Sequence, residues 1–164
     1  MAKKGTTRYR SNKQEREVAK IFGGKQVIAS GSLWFADSDV RSDKYLIECK
    51  TTEKGYYTLT AKVWEKIQEE AIQDHMRTPL MVIDLKDTDR YVVFRPKDFN
   101  KSMVSPLLSS VQVNKSVRIT STMVGEMETG DYIHSQQFIL SGKQNNVLCV
   151  MMYKDFEEEF KEEL

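Results

Sequence analysis

Cysteine and histidine are scarce in this chain, with two of each among 164 residues. Cys49 and Cys149 are too few for a disulfide framework or a thiolate zinc site. His75 and His134 stand alone, and isolated histidines are read as surface or satisfied residues. Also missing is any apolar run near the roughly 20 residues needed to cross a bilayer. Met1-Ala2-Lys3-Lys4 is not followed by a signal-peptide core. These absences set the expectation of a cytoplasmic protein with no membrane partner. No internal repeat, low-complexity linker, zinc finger or RNA-recognition signature appears, and the length predicts one domain with a substantial core.

What is present is charge, unevenly spread. The chain carries a net +1, yet Asp155 to Leu164 hold six acids and one lysine, which leaves +6 on the first 154 residues. Lys3, Lys4, Arg8, Arg10, Lys13 and Arg16 crowd the first sixteen positions. Residues 1–10 are expected to form a basic flexible arm. Such an arm either neutralises phosphates, with salt-sensitive and sequence-independent affinity, or serves as a solubilising tail.

The richest stretch runs from Asp39 to Lys50. It predicts a hairpin with a polar turn at Arg41 to Lys44 and a strand from Tyr45 to Lys50. Side chains alternate along a strand, so Leu46, Glu48 and Lys50 share one face while Tyr45, Ile47 and Cys49 take the other. Cys49 is therefore read as a buried small hydrophobe. If Asp39 lies across the hairpin, two carboxylates and a lysine converge. That set suits a hard divalent cation beside a cationic side chain, the equipment for phosphodiester hydrolysis. Taken alone, Glu-x-Lys on a strand is more often a pair of solvated edge charges.

Upstream, Ser11 and Gln14 fit a capping box, predicting a helix from about Asn12 to Phe22. At about 100° per residue, Val18, Ala19 and Phe22 form its apolar arc. Glu15 falls inside that arc and Glu17 nearly opposite, which assigns Glu15 to the site and Glu17 to the solvated surface. Gly23-Gly24 ends the helix, and Lys25 to Ser30 reads as a strand. A second amphipathic helix is expected from about Thr60 to His75, with Val63, Trp64, Ile67 and Ala71 facing inward. Leu80 to Leu85 reads as a buried strand and Tyr91 to Arg95 as another. The resulting order is helix, three strands, helix, two strands, an α/β sandwich around a mixed sheet. Strand character continues over Val111 to Val124, Tyr132 to Leu140 and Val147 to Tyr153, and a closing helix puts Phe156, Phe160 and Leu164 on one face.

Together these pieces resemble the restriction-endonuclease-like nucleases with a PD-(D/E)XK active site. The likeness is nearest to the archaeal-type Holliday junction resolvases and their phage relatives. It rests on Glu15-Arg16-Glu17-Val18, Ala29-Ser30-Gly31-Ser32, Asp39-Val40, Leu46 to Thr52 and Val93 to Phe99, and covers roughly residues 11–99. The resemblance implies a restriction-endonuclease-like core over 11–99, with a central mixed β-sheet flanked by helices. Residues 100–164 would be a β-rich extension with an acidic C-terminal helix, within the same domain. It further implies Glu15, Asp39 and Glu48 as metal-binding acids, with the Cys49 backbone carbonyl. Lys50 is implied as the catalytic lysine and Ser32 as a neighbour of the scissile phosphate. The cofactor would be Mg²⁺ or Mn²⁺. DNA would be met by Lys3, Lys4, Arg8, Arg10, Lys13, Arg16, Ser30 and Lys62.

Two features depart from the family. Ser38 stands where a proline usually precedes the aspartate, and Leu33-Trp34-Phe35-Ala36 replaces a loop that is often basic. Trp34 and Phe35 are expected at a dimer seam rather than stacked on bases. The function implied is a Mg²⁺-dependent, structure-selective endonuclease, a homodimer resolving four-way DNA junctions in a bacterial, archaeal or phage-infected cell. The alternatives are another nuclease of the superfamily, for restriction or DNA-end processing, and a non-catalytic DNA-binding or replication-accessory protein on the same fold.

Overall fold

Two runs of residues that are apolar at nearly every position, Thr78–Asp84 and Arg90–Phe94, set the centre of the molecule, because strands of that kind are covered on both faces. In the computed structural model, which describes residues 5–27, 38–86, 88–99, 113–125 and 135–164, they are β5 and β6. Before them come α1 (Thr7–Ile21), β1 (Lys25–Gln26), β2 (Val40–Arg41), β3 (Tyr45–Thr51), β4 (Tyr56–Thr60) and α2 (Ala61–Gln73). After them come a 3₁₀ turn at Pro96–Asp98, β7 (Val113–Asn114), β8 (Ser116–Thr120), α3 (Ser121–Gly125), β9 (Ser135–Ser141), β10 (Asn145–Met152) and α4 (Tyr153–Glu159).

Eight strands form one mixed sheet in the order β1-β2-β3-β5-β6-β10-β9-β7, and β4 pairs with β8 in a separate ribbon. β3 and β5 run parallel, joined through β4 and α2, as a crossover connection requires. The two sheet faces carry separate cores. Val18, Phe22, Val40, Ile47, Leu80, Val82 and Phe94 pack on the α1 and α4 side. Trp64, Ile67, Met81, Ile83, Val93 and Ile119 pack on the α2 side. The alternation expected of β3 is borne out: Tyr45, Ile47 and Cys49 join the first core, and Glu48 pairs in register with Met81 of the second.

Several sequence expectations shift. α1 begins at Thr7, not Asn12, because Thr6 is its cap, accepting from the Tyr9 amide at 3.3 Å. Ser11 is inside the helix and bonds Glu15 instead. Arg8 and Arg10 accordingly belong to a helix rather than to a flexible arm, while Lys3 and Lys4 lie outside the described residues. The helix ends as expected: Gly23 adopts φ +61°, and the Gly24 amide reaches back to the Ala19 carbonyl at 2.8 Å. Of the strand expected over Lys25 to Ser30, only Lys25–Gln26 is a strand among the described residues. β4 was not foreseen, and α3 interrupts the continuous strand expected up to Val124.

The C-terminal part is more than an addition to the core. β10 pairs with β6 and extends the main sheet. Phe156 and Phe160 of the closing segment are buried against Phe94 and Phe99, with ring centroids 5.1 Å (Phe94–Phe156) and 4.6 Å (Phe99–Phe160) apart. Aromatic packing of this kind makes the last helix part of the same core as α1.

Candidate active site

β2 is only two residues long and pairs with β3 through Val40↔Ile47 and Arg41↔Leu46. Continuing that antiparallel register puts Asp39 opposite Glu48. The placement is fixed by a hydrogen bond: the Cys49 amide donates to Asp39 Oδ2 at 2.7 Å. Lys50, two residues along the same strand face, donates its ammonium to Glu48 Oε1. The three side chains that the sequence singled out are therefore together, on the α2 face of the sheet and next to its β1 edge.

Their electrostatics are those of a site with surplus negative charge. Burial pushes the Asp39 carboxyl up from 3.8 to about 7, and the charges of Glu48 and Glu15 push the same way. The Cys49 amide and Lys50 oppose the shift without cancelling it. Lys50 is pulled down by burial, but Glu48, Tyr57 and Asp39 outweigh that and hold it above the ordinary lysine value. In the metal-free chain Lys50 is thus an ammonium and not a base.

Glu15 enters from α1, which covers the other face of the sheet. It is held at the edge by Ser11, at 3.1 Å, and by the side-chain amide of Gln26 on β1. It lies close enough to act on Asp39 electrostatically. Glu17 is turned away from the site, but it is a part-buried ion-pair partner rather than the solvated residue expected. It pairs with Arg90 at 2.9 Å, which also grips Asp84 through two bonds of 2.6 and 2.9 Å, and more loosely with Lys13 at 3.7 Å. This contrast carries a prediction. Glu15→Gln should slow cleavage at least about tenfold, roughly 1.4 kcal/mol in the barrier, while Glu17→Gln should leave the rate within about twofold. Single-turnover rates of both variants on one substrate decide it, and equal effects would remove Glu15 from the site.

Two residues were missed. Gln14, read from sequence as half of a capping box, is only 1% exposed. Its amide donates to the carbonyls of Lys50 and Val82, each at 3.2 Å, and accepts from the Thr51 hydroxyl at 2.8 Å. It bolts the Glu15-bearing helix to the strand that bears Lys50. The signal was available, since Gln14 stands four residues before Val18 on the inward stripe, where a polar side chain needs buried partners. Tyr57, on the unforeseen β4, is half-buried in the field of Lys50 and Glu48; burial raises its hydroxyl. Nothing in the sequence brought it near, because β4 itself was not read.

Among the described residues no three acids, imidazoles or thiols close into a ready-made metal cage. The donor set nonetheless fits a small hard cation. Asp39 is a half-buried carboxyl under repulsion from two other acids, and Mg²⁺ characteristically takes one or two carboxylates and keeps several waters.

The remaining candidates are dispersed. Ser30, Ser32, Trp34, Phe35, Lys3, Lys4 and His134 lie outside the described residues. Lys13 and Arg16 are exposed on α1, Lys62 is exposed on the first turn of α2, and Arg10 is engaged by Glu53 at 2.5 Å. His75 is an exposed turn residue with φ +58°, in line with its reading as a surface histidine. A cavity of about 420 Å³ lies elsewhere, between the β5–β6 turn and the start of α4, with Asp84, Arg90 and Lys154 on its walls.

This chain is similar to a solved structure of Archaeoglobus fulgidus Hjc, a Holliday junction resolvase from an archaeal hyperthermophile. The two share 15% sequence identity at a TM-score of 0.43, over 68% of this chain and 88% of that one. No family model and no curated protein matches the chain. Among the described residues, no helix is long and apolar enough to cross a membrane.

Proposed function

We propose that this chain is a Mg²⁺- or Mn²⁺-dependent DNA endonuclease of the Holliday junction resolvase type. The observation that carries the reading is the opposition of Asp39 and Glu48 across the β2–β3 hairpin, with the Lys50 ammonium on the same face. Asp39 and Glu48 would hold the cation, assisted by the Cys49 carbonyl, which in an extended strand faces the same side as its amide. When bound, the cation supplies charge to polarise the scissile phosphate and acidify a water.

The protein's own groups do the rest. Lys50, kept protonated by Glu48, stabilises the charge that develops on the phosphate oxygens as water attacks phosphorus and the bond to the 3′ oxygen breaks. The products are a 5′-phosphate and a 3′-hydroxyl. Glu15, tied to Gln26 and Ser11, orients the water or adds a further ligand. Arg8, Lys13 and Arg16 on the outer side of α1 present cations to the DNA backbone, contributing affinity without sequence choice. Resolution of a four-way junction needs two nicks related by symmetry, and one site per chain therefore requires a two-fold dimer.

A labelled panel of duplex, flap and four-way junction of matched sequence, incubated with Mg²⁺, tests the reading. Paired nicks in the junction, at least about tenfold faster than cutting of the duplex, are expected. A fixed cut in linear duplex would instead indicate a restriction enzyme of the same superfamily. Binding without cutting, in Mg²⁺ and in Mn²⁺, would indicate an accessory protein.

A further inference from the structure

Asp39 lies one residue outside a strand of two; its carbonyl accepts from the Val27 amide at 2.9 Å, but that bond does not tie the hairpin to α2. Its neighbours on both sides are tied to the last turns of α2. Before it, Ser38 is 4% exposed and donates its hydroxyl to Glu70 Oε2 at 2.6 Å. After it, Arg41 pairs with Asp74 at 2.6 Å, and Asp74 also holds Arg77 at 2.5 Å. Arg77 in turn donates from Nε to the Ser42 carbonyl at 2.6 Å. Glu70 and Asp74 are one helical turn apart, so a single helix end grips the chain at residues 38, 41 and 42 and brackets position 39.

Burying a carboxylate for a serine hydroxyl is a costly way to gain stability, since the group gives up water for one short bond. What the bond provides is stiffness at a defined point. The Glu70 side chain is only 14% exposed, and its cationic neighbour Lys66 stands 3.5 Å away on the same helix. The Ser38–Glu70 bond therefore crosses from helix to hairpin where nothing in the ladder does.

We infer that Ser38 and Glu70 are positioning residues, holding Asp39 in register with Glu48 and Lys50 without touching the substrate themselves. The inference rests on the nuclease reading above for its catalytic consequence, but not for its structural one. The Cys49 amide, bonded to Asp39, reports the position of that carboxylate directly.

The test follows the Cys49 amide proton resonance in the metal-free protein, with Asp39→Ala marking the position for a lost bond. Ser38→Ala and Glu70→Ala should each move it at least halfway to that mark. Each should also lower kcat about tenfold with KM within twofold, and the double variant should be no worse than either. Ser38→Thr, which keeps the hydroxyl, should restore both readouts. The two alanine variants delete opposite halves of one bond, so either alone decides if the other fails to fold. A Cys49 resonance left at the wild-type position overturns the inference, even where the melting temperature falls, because the bond would then be a strut and nothing more. Failure of the wild type to cut any DNA would defeat the nuclease reading instead, and the Cys49 resonance would still decide this one.

Discussion

Asp39→Asn and Glu48→Gln are each expected to abolish cleavage, lowering the single-turnover rate by at least about a thousandfold, roughly 4 kcal/mol in the barrier. Both changes are isosteric and each removes one negative charge. A hard cation draws most of its affinity from such charge, so either amide weakens the set that would hold it. Glu48→Gln does further harm. The ammonium of Lys50 is kept in place by the Glu48 carboxylate, and the neutral amide frees it to move toward Asp39. The fold should survive both changes, since an amide oxygen at position 39 still accepts from the Cys49 amide. DNA affinity should also survive within a few-fold, because the cations proposed to meet the backbone are on α1. The check is a pair of measurements on one junction: single-turnover cleavage in Mg²⁺ and Mn²⁺, and binding in Ca²⁺ or without metal. Near wild-type cutting by either variant in both metals would remove the site.

How much of this was legible beforehand depended on the range of the interactions. The hairpin was readable because its signals are local: alternation over Tyr45 to Lys50, and a polar turn a few residues earlier. The register was not: a turn at Arg41 to Lys44 would set Asp39 opposite Leu46, whereas the structure pairs Arg41 with Leu46 and so brings Asp39 opposite Glu48. Glu15 was readable for the same reason as the hairpin, as a polar residue within a helical stripe. The start of α1 was misread because two nearby hydroxyl residues, Thr6 and Ser11, are both capable of capping, and the structure uses the first. β4 was missed because its partner, β8, lies about sixty residues further on, and a short strand rich in Tyr and Thr is ambiguous until that partner is known. Ser38, Glu70, Arg41 and Asp74 are the clearest case. Each looks like an ordinary surface polar residue in sequence, and only the packing of α2 against the hairpin brings them together as two part-buried pairs.

The same Asp39→Asn change that destroys activity should stabilise the metal-free protein at neutral and alkaline pH. Burial, with Glu48 and Glu15 beside it, raises the Asp39 carboxyl from 3.8 to about 7 in the folded chain. Below about pH 4 the folded and unfolded chains both hold this proton. Between about pH 4 and 7 the folded chain keeps a proton that the unfolded chain releases, so this group's contribution to stability falls as pH rises. The loss is complete above about pH 7. A rise of about three pH units corresponds to at most about 4 kcal/mol, at about 1.4 kcal/mol for each. Solvent reaching the partly exposed carboxyl reduces the expected difference to about 2 kcal/mol. For a chain of this length that is about 4–8 °C in melting temperature. The amide of the Asp39→Asn variant cannot ionise, so the variant should melt higher than wild type at pH 8, and the two should converge as pH approaches 4. Mg²⁺ or Mn²⁺ should close the gap from the other side, raising the wild type at pH 8 and leaving the variant almost unmoved, because only the carboxylate offers the cation a full charge. Thermal unfolding of both proteins at pH 4, 6 and 8, with and without Mn²⁺, measures all of this. A wild type that melts above the Asp39→Asn variant at pH 8 without metal would show that Asp39 is not a strained carboxylate awaiting a cation, and the account of the site would have to be rebuilt around Glu48 and Lys50.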